Sequence, residues 1–100
     1  MAKPSLGIDI KLLSALAEPC RVEIVAKLLM HGPMDVTSLS HGQTQDISVI
    51  SRHCNILLEA GIITRTKEGR RTVYAPAKTV VDKLKAITAQ FEKLLQHKGP

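Results

Sequence analysis

A mainly helical fold carrying one small β-hairpin is what this sequence predicts, and three observations predict it. Apolar residues recur at helical spacing as far as Gly61, the pattern turns to β-branched runs after it, and the helical spacing returns at Lys78. Glycines, prolines and Asp46 punctuate these changes. At 100 residues with 44% apolar side chains, there is room for one domain with one modest core. Residues 1–7 are expected as a loose N-terminal arm, broken by Pro4 and Gly7, and 8–100 as the domain.

Each element has its own reason. Ile10, Leu13 and Leu16 place a short first helix over about Ile8 to Ala17. Pro19 suits the first turn of a second helix, where its missing N–H costs nothing; Val22, Val25, Leu28 and Leu29 make the expected buried stripe, and Gly32-Pro33 ends it. An extended piece at Met34 to Val36 leads to a short third helix near Thr37 to His41, and HGQTQ turns into the fourth. That fourth helix, DISVISRHCNILLEAG, has Asp46 at the N-cap and Gly61 at C′. Its carboxylate is expected to accept from the first free N–H groups. Ile47, Ile50, Cys54, Leu57 and Leu58 share one arc, whereas Ser48, Arg52, Asn55 and Glu59 lie off it. IITRTK and RRTVYA, separated by Glu68-Gly69, read as a hairpin with a basic tip. Two helices joined by a glycine-containing turn and followed by such a hairpin make a winged helix-turn-helix, with about five helices and a two-stranded wing.

The last helix, 78–96, carries Val80, Leu84, Ile87, Phe91 and Leu94 at alternating steps of four and three, a heptad seam that suits pairing with a second copy of the chain. Together with Leu13 these residues form the expected dimerisation surface of a homodimer. The other reading folds this helix back onto its own core.

Charge and composition narrow the function. Fourteen Lys and Arg against nine Asp and Glu give +5, and between Gly61 and Lys78 five cations face only Glu68, a local net of +4. A surplus concentrated in one place favours a polyanionic partner. Tyr74 and Phe91 are the only aromatic residues, too few for a platform that stacks single-stranded bases. Cys20 and Cys54 lie thirty-four positions apart with no C-x-x-C, which excludes a disulfide framework and a zinc-ligand set of the familiar spacing. No apolar run reaches membrane-spanning length and MAKPSLGIDI lacks a signal-peptide core, so a cytoplasmic chain with no membrane partner is expected. Ser48, Val49, Arg52 and His53, short or basic and near the start of the fourth helix, suit entry into a DNA major groove.

These segments resemble the ArsR/SmtB family of winged-helix repressors. LLSALAEPCRVEIVAKL is similar to the family's L-x-x-L-A-D/E-P-T-R-L-x-I-L-x-x-L opening, ISVISRHCNILLEAGII to its recognition-helix signature and KEGRRTVYA to its wing, in order over roughly 10–76. The resemblance implies that Ser48, Val49, Ser51, Arg52 and His53 face double-stranded operator DNA. Arg52 can fork to guanine or clamp a phosphate, and Arg70 and Arg71 at the hairpin tip would contact backbone or the minor groove. A solvated helix face, or edge-strand charges that block aggregation, is the alternative for these basic residues. The chain departs from the family at Asp46, where a carboxylate occupies the place of a phosphate, and at Gln43 and Gln45, where leucines are usual.

Many members of the family sense metals through a C-x-C on the third helix or a D-x-H…H-x-x-E/H set on the last. Here the first place reads MDVTSLS; on the last helix Asp82 is followed by Leu84 rather than His, Lys85, Lys93 and Lys98 add positive charge, and His97 stands near the terminus. No metal is expected at either place, and no cofactor. Thiol chemistry is the remaining candidate: Cys20, in the first turn of its helix and beside Arg21, is expected to have a lowered pKa, and Cys54 to be a small buried hydrophobe. An oxidised bridge between them would tie two helices together; two inert cysteines are the plainer reading. No glycine-rich phosphate loop or Ser-His-Asp context supports catalysis, so no catalytic residue and no enzyme is expected. The reading is a dimeric, sequence-specific DNA-binding repressor without the usual metal sites. Its alternative is a winged-helix adaptor for protein interaction or dimerisation that does not bind DNA.

Overall fold

The computed structural model describes residues 7–96. Of the arm expected over 1–7 only Gly7 is among them, and His97 and Lys98 lie outside the described residues. The Gly7 carbonyl accepts from the Gln90 side-chain nitrogen at 3.1 Å.

In chain order the elements are α1 (Ile10–Leu16), α2 (Pro19–His31), β1 (Met34–Asp35), α3 (Val36–Leu39), α4 (Ile47–Glu59), β2 (Ile63–Glu68), β3 (Arg71–Pro76) and α5 (Val80–Gln96). Local chemistry sets the early boundaries. Asp9 accepts from the Leu12 N–H at 3.0 Å to start α1, and Glu18 accepts from the Arg21 N–H at 3.1 Å to start α2 with Pro19 in its first turn. Asp35 accepts from the Ser38 N–H at 2.8 Å to start α3. Gly32, at φ +82°, ends α2 in a conformation that L side chains rarely adopt.

The sheet is antiparallel in the order β1-β3-β2. The expected hairpin is therefore joined by a third strand, built from the piece read as extended: Met34 pairs with Tyr74 and Asp35 with Val73. Glu68 pairs with Arg71 across a two-residue turn that starts at Gly69, φ +64°.

One hydrophobic cluster joins the helices and the sheet. Leu12, Ile24, Leu28, Leu39, Ile50, Cys54, Leu57 and Ile62 are all fully buried within it. Burying each large aliphatic side chain contributes about 1.5–3 kcal/mol. The expected core of α2 is corrected, and so is part of the dimerisation surface expected on α5. On α2 the buried stripe is Cys20, Ile24, Val25 and Leu28, while Val22 and Leu29 are 48% and 50% exposed, because β3, α4 and α1 leave one side of that helix uncovered. On α5 the heptad seam divides: Val80 and Ile87 enter this chain's own core, whereas Leu84, Phe91 and Leu94 are left exposed. Leu13 also packs, half-buried, against that core. Among the described residues, no helix is long and apolar enough to cross a membrane.

Candidate nucleic-acid interface

α4 is held at both ends. At its C-terminus the Gly61 N–H donates to the Leu58 carbonyl and the Ile62 N–H to the Leu57 carbonyl, each at 3.0 Å, with Gly61 at φ +73°. This is a Schellman motif, and its usual hydrophobic partners, Leu57 and Ile62, are both fully buried. The expected C′ glycine is thus in place, and it turns the chain directly into β2. The N-terminus differs from expectation. Asp46 is extended and stands at the N-cap, yet its carboxylate accepts no hydrogen bond from the helix. The Val49 N–H, the donor that a cap would take, goes instead to the Asp46 carbonyl at 3.0 Å.

Along α4, Ile50, Cys54 and Leu57 point into the core while Ser48, Arg52, Asn55 and Glu59 are exposed, as the spacing predicts. Ile47 does not join the buried arc; at the first turn it lies beyond the core and is 47% exposed. Val49 and Ser51 are half-buried on the flanks of the exposed stripe.

His53 corrects the expectation of an outward groove residue. Its side chain is only 15% exposed and is turned towards α2, where Arg21 Nη1 lies 3.2 Å from Nδ1 and the Glu18 carboxylate 3.9 Å. A guanidinium has donors only, so Nδ1 carries the lone pair of that contact. Arg21 is itself anchored by donating from Nε to the Ala15 carbonyl at 2.6 Å. Glu18, Arg21 and His53 therefore tie the start of α2 to the middle of α4.

Between α4 and the hairpin lies a cleft of about 380 Å³ lined by Ser51, Asn55, Arg65, Lys67, Thr72 and Tyr74. Its basic wall follows from strand register: Arg65 pairs with Tyr74 and Lys67 with Thr72, and alternate residues of a strand share a face. Burial pushes the Tyr74 hydroxyl pKa up, then the field of Cys54, with Arg65 opposing. In the sequence, Arg65 and Lys67 stand only as surplus charge, Asn55 only as an outward helix position, and Thr72 carries no signal of its own. The period of two in TRTK was the signal that could have joined the two cations to one wall. Arg70 is exposed in the hairpin turn. Arg71 is 62% exposed but bonded to Asp35, with Nε and Nη2 both 3.1 Å from Oδ2, so part of its charge is committed to the body. The Asp35 carboxyl is held below its ordinary pKa, first by the Ser38 N–H and then, among smaller causes, by Arg71.

The cysteines are both buried. The lowered pKa expected at Cys20 is reversed: desolvation, then Glu18 and Glu23, push its thiol up, and Arg21 and Lys27 only partly oppose them. Its Sγ donates to Gln45 Oε1 at 3.0 Å, tying α2 to the turn before α4. Cys54, fully buried, is pushed up to about 12 by desolvation and then by Cys20, in keeping with a small core hydrophobe.

Comparison with known proteins agrees with this architecture. A family model described as HVO_A0114 matches residues 12–81. The HTH-type transcriptional regulator NmtR of Mycobacterium tuberculosis is 33% identical over 72 residues, which are 72% of this chain and 59% of that protein. The match thus spans less than two thirds of that relative's length. The crystal structure of an ArsR family transcriptional regulator superposes with a TM-score of 0.82 at 24% identity, covering 99% of this chain and 100% of that one. A homodimeric winged helix-turn-helix DNA-binding domain from Mycobacterium bovis, solved by NMR, superposes with a TM-score of 0.70 at 21% identity, covering 100% of this chain and 98% of that one. With helix, turn and wing in place and a family model matched over residues 12–81, most of this chain, the chain belongs to the HVO_A0114 family.

Proposed function

We propose that this chain is a homodimeric, cytoplasmic repressor that binds double-stranded operator DNA through α4 and the wing. The observation that carries the reading is the exposed stripe Ser48, Arg52 and Asn55 beside the basic cleft of Arg65 and Lys67. Ser48 and Arg52 enter the major groove, where Arg52 forks to a guanine or grips a phosphate, with Val49 and Ser51 at the margins. Arg65, Lys67 and Arg70 follow the flanking backbone, with Arg71 contributing what its pair with Asp35 leaves free. His53 acts from behind, fixing α4 against α2. The names of its relatives, transcriptional regulators, support the same reading.

A second copy of the chain is the natural cover for the exposed part of α5. Leu84 lines an apolar groove of about 210 Å³ with Leu16, Val22, Val25, Ala26, Leu29 and Val80, and Phe91 and Leu94 are exposed further along the same helix, an unusual surface to leave in water. The homodimeric M. bovis neighbour supports that pairing. Two copies would present two α4 helices to successive major grooves of a pseudo-palindrome.

A mobility shift on the DNA upstream of the chain's own coding region tests the reading. Affinity should fall steeply with salt, and Arg52→Ala should lower it by about 1–3 kcal/mol with no loss of helical content. A dimerisation adaptor would show neither response, and that result would overturn the proposal.

A further inference from the structure

Among the described residues, one trio of side chains has the makings of a metal site, and it lies in neither of the places where this family's sensors are expected. Glu18, Cys20 and His53 bring a carboxylate oxygen, a thiol sulfur and an imidazole nitrogen within 4.8 Å of one another. A tetrahedral ion with bonds of about 2.0–2.3 Å holds its ligands roughly 3.3–3.8 Å apart, so a contraction of about 1 Å would close the set. Glu18 and Cys20 come from the start of α2, and His53 from the middle of α4.

Two further observations favour a cation here. The contact from Arg21 fixes the His53 lone pair on Nδ1, the nitrogen that already faces Glu18. Arg21 can release that contact without losing its place, because Nε is separately anchored on the Ala15 carbonyl at 2.6 Å.

We infer that Glu18, Cys20 and His53 form a regulatory site for a borderline divalent cation of the Zn²⁺ class, bridging α2 to α4 with a fourth position left for water. Thiolate, imidazole and carboxylate together suit such ions rather than Mg²⁺ or Ca²⁺. Binding is not a redox step. The Cys20 S–H bond breaks, its proton passes to solvent and a metal–sulfur bond forms, while His53 Nδ1 exchanges the Arg21 N–H for the metal. Two ties on the DNA-facing unit are thereby lost: the Cys20 hydrogen bond to Gln45 and the Arg21 hydrogen bond to His53. Metal binding therefore shifts α4 against α2 and weakens the grip on DNA. This consequence rests on the function proposed above; the site itself does not.

The test is a titration of the reduced full-length chain with Co²⁺ alone, followed by displacement with Zn²⁺. A thiolate-to-cobalt charge-transfer band and intense tetrahedral ligand-field bands should appear, vanish in Cys20→Ser and His53→Gln, and persist in Cys54→Ala. Histidine-only binding elsewhere gives no thiolate band. Serine can still donate to Gln45, and circular dichroism checks that each variant folds. Should either fail to fold, Glu18→Gln is read in its place, with binding weaker by roughly tenfold or more. Absence of the thiolate band in the wild type, its survival in Cys20→Ser, or unweakened binding in Glu18→Gln would overturn the site. Operator affinity measured in parallel should fall by about 5- to 150-fold with Zn²⁺. A cobalt site without that fall overturns the coupling, and a cobalt site in a chain that never binds DNA sinks the proposed function while leaving the site standing.

Discussion

α4 and α5 have the same kind of amphipathic pattern, yet the fold treats them differently. α4 buries Ile50, Cys54 and Leu57 completely, while α5 commits Val80 and Ile87 and leaves Leu84, Phe91 and Leu94 in solvent. One helix finds most of its cover within the chain; the other finds less than half. An apolar stripe thus states that a face must be covered, and only the neighbouring elements decide whether the cover comes from the same molecule.

The largest expected effect lies on the covered side. Leu57→Ala removes a side chain that both fills the core and closes the end of α4, and should cost about 2–5 kcal/mol in urea unfolding. Phe91→Ala, at a position 52% exposed, should cost little in dilute solution yet shift the proposed dimer towards monomer in sedimentation equilibrium. Equal destabilisation by the two substitutions in dilute solution would erase the contrast between the helices.

The wing sharpens the comparison in a smaller way. Arg70→Ala should weaken DNA binding uniformly across sequences and lower the salt slope by about 1, with no change in stability. Arg71→Ala should lower the slope less, because this side chain is already paired with Asp35, and should lower stability slightly. Reversed ranks in a salt titration would show that Arg71 is the freer cation.

The smallest effect is the pH dependence of Asp35. Its folded carboxyl is held below the unfolded value of about 3.9, so its contribution is present above that pH and is lost as pH falls through the folded value. The unfolding midpoint should therefore drop less between neutral pH and pH 3 in Asp35→Ala than in the parent chain. An equal drop would remove Asp35 from the account.

Much of the fold was legible because it is punctuated by residues with one physical meaning. Pro19, Gly32 and Gly61 mark boundaries through backbone geometry alone, and the exposed stripe of α4 follows from counting 3.6 residues per turn. What periodicity missed was decided by partners distant in sequence. His53 lies on a flank that spacing alone leaves open, and Arg21, thirty-two positions away, turns it inward. Cys20 was judged by its helix terminus and its adjacent arginine, but burial and the acidic residues Glu18 and Glu23 outweigh both. Asp46 has the right identity for a cap, yet the backbone carbonyl takes its donor first. The cleft between α4 and the wing needed the register of β2 against β3, which no single segment contains.

The junction at Ala60 to Ile62 leaves no slack between the fourth helix and the first strand of the wing. A pivot of that helix is passed directly to β2, while β3 stays paired to β1, and the hairpin beyond is roughly 20 Å long, six residues at about 3.3 Å each. A displacement barely felt at Ser48 would be magnified at Arg70.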